Sequence, residues 1–441
     1  MKWLLIILLT LISLIPAKGQ NWQLPPDKDH AIIPFEFVNN LIIVNVLLND
    51  EPLSFIVDNG VKETLLFGEV LDSVKLKNTS SFSFQGFGVG EPIKGLMSLY
   101  NKMQVGGLVD TSHHLYVITD SAFNISKNIG IHIHGILGST FFRNNVIFID
   151  YVKKKITFTK RLEDLNIKLS RYQSLPISIE NERAYTYVNI NDIKQHYTDC
   201  KMLLDLGNSD PMMIFHREFP SYSMSPPFIR EYLGFGFNGA VYGYKNRIKD
   251  MEIGNFDIKL PIVSYPDSNS YDPKKLVANR MGSIGNQILS RFYLVFDYSN
   301  NLMYMRPNKF FNKAYTLDMS GIEVVHEGFE FVKHRLTNFT ENKDGQTTIN
   351  FSTEVNYQIE LHATYIIDQV RPNSPAERAG VMIGDRLLRI NGRGVGKMKL
   401  QDIKNKLQAG QDKLVKIKLA RNDVELSVEF RLEDPLDLPF I

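Results

Sequence analysis

Short runs of apolar, often β-branched residues, cut by polar or glycine-bearing turns, dominate the chain from Ile32 to about Met305. Leu41–Leu48 (LIIVNVLL) stops at Asn49-Asp50 and predicts a strand. Residues 146–151 and 155–158, joined by a lysine-rich turn, predict a hairpin. Residues 293–298 and 302–305, joined by Ser299-Asn300-Asn301, predict a second one. Turn-bounded strands at this density argue for a mostly β architecture. After Gly321 the pattern changes. Residues 365–370 predict a strand, and Ser374 caps a short helix that starts at Pro375 and stops at Gly380. Leu400, Ile403 and Leu407 recur at helical spacing, and residues 415–419 and 424–430 read as closing strands.

The β-rich part repeats itself. Asp58-Asn59-Gly60 ends an apolar run, and Asp205-Leu206-Gly207 ends another 147 residues later. Gly135-Ile136-Leu137-Gly138 returns as Gly282-Ser283-Ile284-Gly285, and Asp150-Tyr151 as Asp297-Tyr298, both at the same offset. Gly86-Phe87-Gly88 returns as Gly234-Phe235-Gly236 at an offset of 148. Three landmarks at one offset and a fourth one residue off it predict two copies of one lobe, with a boundary near residues 161–169. The expected domains are a leader over 1–19, lobes over 20–165 and 166–314, and a third domain over 321–433.

Composition narrows the function classes. The 441 residues are 44% hydrophobic and 22% charged, as in ordinary globular chains, and the net charge of +2 gives no nucleic-acid footprint. Lys2, an apolar run from Trp3 to Leu14 and then Pro16-Ala17-Lys18-Gly19 predict a secretory signal peptide cleaved after Gly19. No later stretch is apolar enough to span a membrane. Cys200 is the single cysteine, so an intrachain disulfide is excluded. A large exported chain without disulfides fits the bacterial periplasm or exterior. Cys200 itself reads as a small core residue.

Two Asp-x-Gly turns brought face to face place two carboxylates at one spot. Carboxylates about 3 Å apart share one proton, because both cannot ionise easily. The ionised member can deprotonate a water while the protonated one donates to a carbonyl oxygen, with no metal and no covalent intermediate. The paired turns resemble those of aspartic proteases of the retropepsin-like and pepsin-like kind, particularly bacterial exported members with both copies in one chain. The resemblance covers roughly residues 32–312. It implies that Asp58 and Asp205 are the catalytic pair, a dyad chemistry already familiar in that family. It implies that Asn59, Gly60, Leu206 and Gly207 support the turns. It also implies that Gly86, Phe87 and Gly88, with Gly234, Phe235 and Gly236, lie in flap-like hairpins.

The triplets depart from the family's usual Asp-Thr-Gly or Asp-Ser-Gly. Asn59 and Leu206 replace the hydroxyl residue that links the two turns, and Val61 and Asn208 bring no hydroxyl after the glycines. Asn59 can take over part of that bonding through its amide; Leu206 has no polar side-chain atom. Two readings follow: an aspartic endopeptidase acting on peptides or proteins without a cofactor, or a catalytically inactive peptide- or protein-binding module of the cell envelope.

Residues 374–380 (SPAERAG) and 384–392 (GDRLLRING) together resemble a PDZ domain. That fold takes extended peptides beside a helix, so a ligand peptide is an expected partner. The resemblance implies a groove at Leu400, Ile403 and Leu407. Gly321-Ile322 and Gly328-Phe329 are alternative carboxylate-binding loops.

The remaining polar landmarks promise less. His132 and His134 share a strand face, but no third ligand has recognisable spacing, so no metal site is expected. His113 and His114 point to opposite faces and are expected to meet solvent. Asp150 and Asp297 end strands before polar turns and read as turn residues.

Overall fold

The computed structural model describes residues 21–84, 93–119, 125–236, 239–335, 339–341, 347–349 and 357–437. It is mostly β, and it divides into two compact units. One holds the chain before Ile125 together with Ile133–Tyr315; the other holds Ile125–His132 together with Thr316–Ile441. The short segment Ile125–His132 thus leaves the stretch read as the N-terminal lobe and joins the C-terminal unit.

In the first unit the 147-residue repeat becomes two sheets of matching construction. Glu51–Val57 runs parallel to Gly135–Leu137, pairing Val57 with Leu137. His196–Asp205 runs parallel to Arg280–Gly285, pairing Leu204 with Ile284. Each residue of the first pair lies 147 positions before its counterpart in the second. Both Asp-bearing strands sit inside their sheets, so their apolar residues are covered on both faces: Phe55, Ile56 and Val57 are buried, as are Met202, Leu203 and Leu204.

A third sheet of six strands joins the lobes. At its centre Val146–Asp150 pairs antiparallel with Phe292–Asp297. Phe148 pairs with Val295, its own counterpart in the repeat. The local two-fold relation of the lobes therefore passes through that residue pair. Outside it, each central strand makes its sequence-local hairpin, with Lys155–Thr159 and with Leu302–Pro307. Asp150 accepts from the amides of Val152 and Lys153, and Asp297 from Asn300, so both fix the turns that follow.

His113 departs from its sequence expectation. It is fully buried, stacks at a tilt against Trp22, and bonds Asp110 Oδ2 and Thr64 Oγ1, both at 2.8 Å. The alternation rule placed it on one strand face; Trp22, which arrives from far along the chain, covers that face. Cys200 is buried, and burial pushes its thiol up to about 12, which leaves the thiolate scarce.

The second unit is built on strands Ile322–Arg335, Tyr357–Val370, Arg386–Ile390, Leu414–Arg421 and Val424–Arg431, adjacent in that order. Ser374 caps the Pro375–Arg378 helix by accepting from the Glu377 amide, and Gly380 leaves it at φ +90. A second helix spans Leu400–Leu407, with its three apolar residues facing the core.

Candidate active site

Both acidic turns leave the ends of parallel-paired strands. A glycine closes the strand beside each Asp-bearing strand, Gly138 just after Gly135–Leu137 and Gly285 as the last residue of Arg280–Gly285, for a steric reason. A Cβ on Gly138 would stand 2.4 Å from the Glu63 carbonyl oxygen, and one on Gly285 would stand 1.9 Å from that of Asp210. Both contacts are with the loop just after the acidic turn of the same lobe. The strand passes beneath that loop only without a side chain.

The turns meet closely. A Cβ on Gly60 would lie 2.8 Å from Asp205 Oδ1 and 3.0 Å from Asp58 Oδ1, so the two carboxylates flank one point. A Cβ on Gly207 would fall 2.1 Å from Asp58 Cγ. Each glycine thus makes room for the carboxylate of the opposite lobe. Each carboxylate is also held by its own turn. Gly60 N–H donates to Asp58 Oδ1 at 2.7 Å, and the Gly207 and Asn208 amides donate to Asp205 Oδ1 at 3.1 Å.

The two acids differ electrically. Burial first, and the charge of Asp205 second, push Asp58 up to about 7, against backbone amides and the Arg183 charge that pull it down. Burial also raises Asp205, but the nearby Arg280 guanidinium leads the forces that lower it. Burial holds the Arg280 guanidinium below its ordinary value, and the group lies over the Phe215 ring. Arg183 acts on both facing carboxylates and Arg280 on Asp205, which favours a single shared proton on Asp58 and an ionised Asp205.

Cross-lobe support comes from residues that include some the sequence reading did not name. The wholly buried Asn59 accepts from the Leu206 amide at 2.9 Å and donates to the Tyr298 hydroxyl at 3.4 Å. Leu206 contributes its backbone only. Its carbonyl accepts from Asn286 Nδ2 at 3.3 Å, and Asn286 Oδ1 accepts from the Tyr151 hydroxyl at 2.5 Å. Asn208 Nδ2 donates to the Ser283 hydroxyl at 3.2 Å, and its carbonyl accepts from the Asn286 amide. Tyr151 and Tyr298 occupy equivalent repeat positions, a signal already present in the two Asp-Tyr landmarks. Asn286 stands where the first copy has Ser139 and carries no comparable signal.

Gly234, Phe235 and Gly236 lie at the end of an antiparallel hairpin, Phe228–Gly236 against Gly239–Arg247, with Gly234 at a register shift. This hairpin joins the sheet that carries Asp205 through Ile262–Pro266. Gly86, Phe87 and Gly88 lie outside the described residues. Among the described residues no cluster of three metal-ligating side chains occurs. His134 Nδ1 accepts instead from the Ser54 amide.

In the second unit Leu400, Ile403 and Leu407 are buried in the core cluster, with Ile403 wholly enclosed. Ile322 is buried there too. Gly321 takes φ +82, and its amide donates to Asp318 Oδ1 at 2.5 Å.

Comparison with curated proteins found no match. An aspartyl protease family model matches residues 44–141, the stretch that contains Asp58 and the Gly135–Leu137 strand. A PDZ domain model matches residues 366–421, which contain the capped Pro375–Arg378 helix and the Leu400–Leu407 helix. The chain therefore carries an aspartyl protease domain and, towards its C-terminus, a PDZ domain.

Proposed function

We propose that this chain is an exported aspartic endopeptidase, of the bacterial periplasm or exterior, that hydrolyses peptide bonds through Asp58 and Asp205. The observation that carries the reading is the pair of Oδ1 atoms flanking the Gly60 site at 2.8 and 3.0 Å. In the proposed reaction, ionised Asp205 takes a proton from a water as its oxygen bonds to the scissile carbonyl carbon. Protonated Asp58 gives its proton to the carbonyl oxygen. The tetrahedral diol then collapses: the C–N bond breaks, the amine leaves with the proton held by Asp205, and Asp58 recovers its own from the diol hydroxyl. The dyad ends as it began, and no cofactor enters the balance. The PDZ domain supports binding of a peptide or protein beside this chemistry.

The absence of a hydroxyl at Asn59 and Leu206 favours a second reading, an inactive binding module. Asp58→Asn and Asp205→Asn separate the two. Each substitution is expected to abolish cleavage of a quenched-fluorescence peptide library while preserving the circular dichroism of the parent. Cleavage that survives either change, or a parent inert on the whole library, overturns the protease reading.

A further inference from the structure

Ile125–His132 belongs to the unit of the PDZ domain, although it lies in sequence between the strands Leu108–Ile118 and Gly135–Leu137. It forms one helical turn, Ser126–Ile129, closed by Gly130 at φ +79. That turn packs on the strand Ile322–Arg335. It also meets the Leu400–Leu407 helix: a Cβ on Gly130 would lie 2.6 Å from Leu400 Cβ. Lys404 ties the three pieces together, donating to the Asn128 carbonyl at 3.3 Å and to Glu323 of the strand at 2.5 Å. Ile129 is buried, at 4% exposure.

This strand and helix are the walls between which a PDZ fold takes a peptide. The end of the groove is engaged as well. The Gly321 amide already donates to the Asp318 carboxylate, and the Ser320 hydroxyl donates to the same group at 2.9 Å. An arriving peptide would meet a seated helical turn along the walls and a carboxylate already bound at the loop.

We propose that Ile125–His132 is the resident ligand of the PDZ groove, bound in cis. Ile129 is its apolar anchor, Gly130 permits its close approach to Leu400, and Lys404 clamps its backbone. A peptide in trans binds only by displacing it. Tethering strengthens the cis ligand, because a short connection gives an effective concentration in the millimolar range. The proposal does not depend on peptide hydrolysis.

The test uses the full-length chain, its Ile129→Asp and Lys404→Ala variants, and as probe a fluorescein-labelled, C-terminally amidated peptide of residues 125–132. Ile129→Asp places a charge in a buried site and is expected to release the segment. Hydrogen exchange should then rise at least about tenfold over residues 126–130 and in the facing parts of both groove walls, while residues 135–137 stay protected. Lys404→Ala should give the same pattern more weakly. The probe should bind Ile129→Asp at least about tenfold more tightly than the parent. The proposal is overturned if residues 126–130 exchange freely in the parent, which needs no variant. It is overturned equally by a folded Ile129→Asp protein whose groove walls exchange as in the parent, or by a parent that binds the probe as well as the variant does.

Discussion

Asn59 is the position at which the lobe junction can be tested most directly. Its side chain is wholly buried, and its Oδ1 accepts from the equally buried Leu206 amide at 2.9 Å. Its Nδ2 reaches the Tyr298 hydroxyl only at 3.4 Å, near the limit of a hydrogen bond. Asn59→Leu keeps the branched outline of the side chain, with methyl groups for its polar atoms, and removes both bonds. An orphaned buried amide costs about 1–3 kcal/mol, and the stranded hydroxyl adds about 0.5–1 kcal/mol. The expected loss is about 2–4 kcal/mol of unfolding free energy, with an unchanged urea m-value. Tyr298→Phe removes only the long bond and should cost less than about 1 kcal/mol. Because the broken bond holds the turns in mutual register, kcat on a short peptide should fall about a hundredfold with KM little changed. Urea unfolding and steady-state kinetics on the parent and both variants measure these quantities. A loss below about 0.5 kcal/mol for Asn59→Leu, or equal losses for the two variants, would refute the reasoning.

Three further outcomes follow from the same geometry. Asp58 stands at about 7 in the fold against 3.8 for the free group, so between those values the folded chain keeps a proton the unfolded chain has lost, and stability falls as pH rises through that window. Asp58→Asn should therefore match the parent near pH 4 and exceed it by a few kcal/mol near pH 7 in urea titrations, with a pH-independent difference counting against the raised acid. Gly207→Ala puts a carbon 2.1 Å from Asp58 Cγ and should lower kcat/KM by at least about a hundredfold; near-normal turnover would mean the turns separate freely. Leu206→Thr restores the family's hydroxyl residue, but its backbone N–H and C=O are already bonded and its site is wholly enclosed. The substitution should therefore cost about 2 kcal/mol in unfolding free energy and raise no activity, and a more active, equally stable variant would contradict this.

The parts of the fold written twice were legible in the sequence. The shared offset identified both acidic turns and both glycine-ended strands, because a duplication copies local pattern and spacing together. The Leu400–Leu407 helix was equally plain, since its apolar spacing suffices to define a buried face. Single, long-range partnerships were not legible. Asn286 meets Tyr151 across 135 positions and the Leu206 carbonyl across 80, and no periodicity announces such a bond. His113 looked solvated because strand alternation says nothing about what arrives to cover a face. The path of Ile125–His132 was hidden for a related reason. Nothing in Ser-Lys-Asn-Ile-Gly tells which compact unit these residues join.

The strand pairing at the lobe junction bears on symmetry. Phe148 opposite Val295 means that Val146–Asp150 meets its own copy in the register a symmetric homodimer would use. A single lobe, made alone, would expose that strand as an unpaired edge with buried-type residues on both faces. Its natural complement is a second identical lobe. Such a pair would set one Asp58 against another and Asn59 against Asn59, with neither Leu206 nor Asn286 present. The present chain joins two such lobes covalently, and the two differ at the junction. In this chain one half sets the polar side chain of Asn59 at the junction, while the other sets Leu206 there and takes its support from Asn286. Two lobes in one chain can carry different residues at matching positions, which two identical subunits cannot do.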